Sequence, residues 1–178
     1  MKRILVLSGV VVLVAAAPAF AQKALADAMA RSAAGTFRNL LESAEKMPEA
    51  DYGFQATKDT RTFAGFVGHT INAAFNNCSR AKGEANPNKE DLEKVTAKDK
   101  LVEAAKAVQA YCDAVFAAQT DASLAEMVTA GQNQVARGQL LLGVISHNMN
   151  EYGQKVILMR LKGIVPPTTE RATRKPGN

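Results

Sequence analysis

SHNMNEYGQKVILMRLKGIVPPT, residues 146–168, decides how the chain reads. Helical spacing runs through it without a proline until Gly163, a good C-terminal stop, and Pro166-Pro167 forbid continuation. Followed backwards, the pattern reaches about Gln134, so residues 134–162 read as one long helix. His147 and Glu151 are four residues apart and fall on one face of it.

Working outward, three more segments carry the same periodicity. Residues 23–46 place Leu25, Met29, Ala33, Phe37, Leu40, Leu41 and Ala44 at spacings of three and four. Met47-Pro48 ends that run, and Thr57 or Asp59 can cap a second helix that extends to Lys82, with Gly83 as its stop. A third helix is expected from Lys98 to Ala118 through Leu101, Ala105, Val108, Cys112, Val115 and Phe116. Residues 119–133 are mixed, with room for one helical turn at 123–128. No alternating strand pattern and no internal repeat stand out, so the expected fold class is all-α, a four-helix bundle.

The polar linker 83–97, GEANPNKEDLEKVTA, bears on topology. At ~3.3 Å per residue it reaches about 50 Å, more than the roughly 36 Å of a 24-residue helix. It can therefore return along the whole bundle and set the second and third helices parallel. The two cysteines agree. Cys78 and Cys112 sit near the ends of those helices, about 4–5 Å apart in height if the pair is parallel and about 13 Å if antiparallel. A disulfide tolerates Cα separations up to about 7 Å. A Cys78–Cys112 bridge is the expectation; two buried thiols packing as small hydrophobes is the competing reading.

Lys2 and Arg3, an apolar stretch from Ile4 to Ala17, Pro18 and the small-x-small run Ala19-Phe20-Ala21 read as a secretory signal. Residues 1–21 are thus expected to be removed before Gln22, leaving 22–178 as one exported domain, periplasmic or secreted. An uncleaved N-terminal anchor is the alternative. After cleavage no stable membrane anchor is expected, since no other segment approaches spanning length. Cleavage removes two basic residues and no acidic one from a chain whose formal net charge is +5. What remains is mild and mixed, and the basic tail (Arg171, Arg174, Lys175) reads as a solvated end, so no nucleic-acid partner is expected.

Two Cys and two His in 178 residues exclude tandem zinc fingers and a disulfide-dense mini-protein. No Gly-rich phosphate loop, G-x-S-x-G elbow or C-x-x-C occurs. The chemistry that remains is His69, inside FAGFVGHTINAAF of the second helix, with His147 and Glu151 of the fourth. Bundle cores build metal sites by converging such side chains, and two imidazoles with one carboxylate leave open positions. On spacing alone the ordinary readings compete: a satisfied core histidine, and a His-x-x-x-Glu pair as a surface hydrogen bond.

The fourth-helix stretch resembles the C-terminal signature of the DinB-like (YfiT-type) four-helix proteins. It supplies His147, Tyr152, Gly153, Arg160, Lys162, Gly163 and Pro166-Pro167, with Glu151 where that family has a second His. FAGFVGHTINAAFNNCSRAKGE is similar to the family's second helix, with His69 at the first ligand position. The resemblance implies an up-down-down-up bundle holding a divalent metal ion on three ligands, here His69, His147 and Glu151. Glu keeps nickel, zinc, iron or manganese available while changing charge and geometry. Some members transfer small thiols onto electrophiles. Two classes therefore stay open: a metal-dependent thiol transferase or hydrolase acting on a small-molecule substrate, with no catalytic side chain singled out, and a non-catalytic helical binding module with a vestigial site. Bundles of this family often pair, so a homodimer is a further expectation, although no apolar stripe in the sequence establishes it.

Overall fold

The structure, a computed structural model, describes residues 23–174. The proposed signal, residues 1–21, and its cleavage point lie outside the described residues. Four long helices form the body: α1 (Ala24–Lys46), α2 (Phe63–Lys82), α3 (Lys98–Ala117) and α5 (Arg137–Leu161). Between α3 and α5 come a short α4 (Asp121–Ala125) and a hairpin, β1 (Met127–Ala130) with β2 (Asn133–Ala136); α6 (Pro167–Thr173) follows α5. In the bundle α1 and α2 each pack on α3 and α5 and hardly on one another. The core they enclose includes Phe37, Leu40, Phe63, Ile71, Leu101, Leu141 and Met159, all at most 2% exposed. No helix among the described residues is long and apolar enough to cross a membrane.

The direction of α3 follows from its contacts with α2. Phe75 faces Tyr111, with ring centroids 5.7 Å apart, and Cys78 is disulfide-bonded to Cys112 with Cα atoms 5.7 Å apart. Partners that ascend together along both helices make the pair parallel. Along α5 the partners of α2 run the other way, with Ala81 near Arg137 and Thr70 near Lys155. The topology is up-down-down-up.

Helix starts are held by groups that no local pattern reveals. α2 begins at Phe63, with the Thr62 hydroxyl accepting from Gly65 N–H, rather than after Thr57 or Asp59. The preceding loop delays it: Phe63 N–H donates to Phe54 C=O and Ala64 N–H to Tyr52 C=O, which ties the turn-containing segment 54–62 back to the start of the helix. The start of α1 is capped from a distance, because Asp121 of α4 accepts from the Leu25 and Ala26 N–H groups. Leu25 itself is exposed; Ala26, Ala33, Phe37, Leu40 and Ala44 make the buried stripe. At the far end of α2, Gly83 takes a left-handed conformation with φ 78° and closes the helix.

The hairpin corrects the strand-free expectation for 119–136 and moves the start of the last long helix from Gln134 to Arg137. Gly131, at φ 66°, occupies the first place of a two-residue turn that suits the twist of paired strands. Half of each strand is exposed and no residue of either is buried, so no apolar alternation marks them. Pro166-Pro167 does end α5, but Pro167 then serves as the first residue of α6. That helix is tied back to the body: Arg171 pairs with Glu42 and donates to Asn39, and Lys46 meets Glu170 at 2.6 Å. Arg171 is therefore part of a docked segment rather than a solvated tail.

The linker does more than cross. Leu92–Lys94 form a single 3-10 turn laid against α2, with Leu92 buried. Gly68 makes room for it: a Cβ added there would stand 2.0 Å from the Leu92 carbonyl oxygen and 2.7 Å from Glu93 N. Only glycine allows the backbones to come this close.

Candidate metal centre

His69 comes from the second turn of α2, and His147 and Glu151 from the middle of α5. The structure brings them together, with one donor atom from each inside a triangle whose sides do not exceed 4.8 Å. His147 Nε2 lies 3.2 Å from His69 Nε2 and 3.8 Å from Glu151 Oε1. Both imidazoles are a little over a quarter exposed, so solvent reaches them, whereas Glu151 is buried.

The donor set fits a divalent cation. Two imidazole nitrogens at 3.2 Å can share only one hydrogen between them. Two nitrogens bound to one tetrahedral ion at 2.0–2.1 Å stand roughly 3.3 Å apart, close to what is seen. The Glu151 carboxylate adds a buried Oε2 without a hydrogen-bond partner among the described residues. An anionic oxygen placed so is costly unless a cation meets it. Burial holds the His147 pKa below its ordinary value; His69, Lys155 and Arg61 push the same way, and Glu151 opposes them. The ring is thereby kept in the neutral form that a metal needs.

Three neighbours of the site, Glu93, Arg61 and Lys155, lie outside the set singled out from the sequence. Glu93, in the linker, places Oε2 2.9 Å from His69 Nδ1 and accepts from Arg61 Nε at 2.6 Å through Oε1. Burial raises the Glu93 pKa, but its hydrogen bonds with Arg61 and His69 outweigh that and leave it below the usual carboxylate range. Lys155 is fully buried and donates to Thr70 Oγ1 at 2.9 Å. Burial lowers its pKa to about 7 against the pull of Glu151. Lys155 had a legible signal, since His147, Glu151 and Lys155 repeat at four residues on one face. Glu93 had none, being one acid among several in a polar linker.

Residues 33–154 match the family model of the DinB superfamily. The chain belongs to the DinB superfamily. Solved structures agree in fold. A DinB-like protein from Bacillus cereus superimposes with a TM-score of 0.65 at 15% identity, over 74% of this chain and 89% of the other. A DinB-like protein from Bacillus subtilis gives 0.64 at 17% identity, over 78% and 94%. No curated protein is a significant match to this DinB chain. At these identities the neighbours speak for the bundle alone, and the ligand set rests on the chain's own geometry.

Proposed function

We propose that this DinB-superfamily protein is an exported bundle that binds a divalent metal ion through His69, His147 and Glu151. The observation that carries the reading is the convergence of two imidazole Nε2 atoms at 3.2 Å with the Glu151 carboxylate, whose Oε1 lies 3.8 Å from His147 Nε2 and whose buried Oε2 has no hydrogen-bond partner among the described residues. Three protein ligands leave positions open to water or substrate. When bound, the ion supplies Lewis acidity that lowers the pKa of a water or a thiol, the chemistry of a hydrolase or a thiol transferase. The chain's part is to keep His147 neutral, to hold Glu151 out of water and to leave the imidazole edges within reach of a small-molecule substrate. Two nitrogens and one oxygen suit zinc, nickel, iron or manganese.

Elemental analysis and metal titration of the mature protein test this. Near-stoichiometric divalent metal is expected in the wild type, with loss in His147→Ala. One observation favours the alternative of a vestigial site in a binding module: the two rings can satisfy one another through a single shared hydrogen. Wild type that takes up no divalent ion after loading would establish that alternative.

Export is supported by the signal-like N-terminus together with the Cys78–Cys112 bridge, a bond that persists in oxidising compartments such as the periplasm. An intact mass starting at Gln22 in protein secreted by a bacterial host is the expected result. Pairing of two copies is supported by Leu142, Met149, Ile157 and Leu161, each more than half exposed along α5. Sedimentation of the mature protein decides it.

A further inference from the structure

We propose that Glu93 is the positioning residue of the metal centre, fixing the His69 ring with its hydrogen on Nδ1 so that the bare Nε2 faces His147 and Glu151. The proposal rests on the metal reading above. An imidazole ligates through one nitrogen only while its hydrogen sits on the other, and a carboxylate at that second nitrogen settles which is which. Glu93 Oε2, 2.9 Å from Nδ1, is such a carboxylate. Its other oxygen is occupied by Arg61 Nε at 2.6 Å, which stops the carboxylate from swinging away.

The delivery of Glu93 to this point is built into α2 on both sides of His69. Gly68, the residue before, admits the Leu92 carbonyl to a distance that any side chain would block. Asn72, three residues after, accepts from Leu92 N–H and donates to Asp91, and Asp91 in turn accepts from Glu93 N–H. Leu92 is buried between these clamps and anchors the turn in the core. His147 has no such support, since its Nδ1 is buried without a partner among the described residues. The two imidazoles are thus unequal: His69 is held in advance, and His147 adapts.

Because the chain has only two histidines, nitrogen NMR of labelled imidazoles reads both rings directly. In metal-free wild type at pH 8, His69 should be in the Nδ1–H form, and Glu93→Ala should move it toward Nε2–H. Zinc affinity, measured by competition with a chromophoric chelator, should fall roughly 10–100-fold in Glu93→Ala. Glu93→Gln, which keeps an acceptor oxygen, should recover part of that loss. Gly68→Ala, which displaces the turn while leaving both polar partners in place, should weaken zinc as Glu93→Ala does. Melting curves of each variant separate these effects from loss of fold. The proposal is overturned if metal-free wild type holds His69 as Nε2–H, or if Glu93→Ala binds zinc within twofold of wild type. Wild type that binds no zinc would instead defeat the metal reading, and the ring tautomer would still decide whether Glu93 sets His69.

Discussion

Lys155 lies one turn beyond Glu151 on α5, fully buried, and spends its hydrogen bond on the Thr70 hydroxyl of α2 rather than on the carboxylate. Thr70 passes its own hydrogen to the Phe66 carbonyl, so the amine ends a short chain of donors inside the bundle. Burial favours the neutral amine, with Glu151 the facing charge that opposes this. An unfolded lysine binds its proton below about pH 10.4. The folded one does so only below about 7. Between these values the unfolded state holds the extra proton, so stability should rise with pH from 7 to 10 by up to about 1.4 kcal/mol per unit and fall on the way back. Lys155→Met should flatten that slope and stabilise the protein at pH 7 by roughly 1–3 kcal/mol. Urea unfolding across the range measures both.

Glu151→Gln should separate stability from binding. At pH 8.5 in the presence of a chelator, the substitution removes a buried charge whose Oε2 has no hydrogen-bond partner among the described residues. Stability should increase by roughly 1–3 kcal/mol. Metal affinity should drop in the same variant. A destabilised Glu151→Gln would mean that the carboxylate is already satisfied without an ion.

The Cys78–Cys112 bridge closes a loop with a sequence separation of 34. In the chain-entropy model a loop of this size contributes about 3–4 kcal/mol. Denaturant unfolding with and without reductant should show a loss of that order. Thiol titration of denatured, unreduced protein should find no free thiol.

Asp121→Ala should release the first turn of α1. The carboxylate accepts from Ala26 N–H at 2.8 Å, and the residue at the N-cap, Lys23, makes no side-chain cap of its own. The cost should be about 1 kcal/mol. Faster hydrogen exchange confined to the Leu25 and Ala26 amides would show that the effect is local.

Sequence alone carried the bundle a long way because its signals are local or additive. Periodicity marked the four long helices, and linker length with the two cysteines argued for the parallel pair. The His147–Glu151 spacing, joined to the family resemblance at His69, singled out the three donors that the structure brings together. What stayed hidden depends on chain far away. Thr62, Thr57 and Asp59 all offer a capping oxygen, and only the Tyr52 and Phe54 carbonyls choose among them. Asp121 caps a helix almost a hundred residues earlier. Glu93 resembles Glu84 and Glu90 in its surroundings and differs only in where the backbone has been laid. The hairpin was illegible for another reason: its strands bury little, so no face of it needed an apolar pattern.

A parallel α2–α3 pair obliges the chain to travel back past the helix it has just left. A direct hairpin would have brought no polypeptide alongside the first turns of α2. The return path passes there of necessity, and at Gly68 it is brought into contact. Connectivity thus supplies the centre with an outer wall that belongs to neither ligand-bearing helix. Apart from Leu92, which anchors it in the core, such a wall can change its charges without disturbing the packing of the four long helices. Within this architecture, ligand chemistry and bundle stability are open to separate selection, and the crossover is where their divergence among related chains should concentrate.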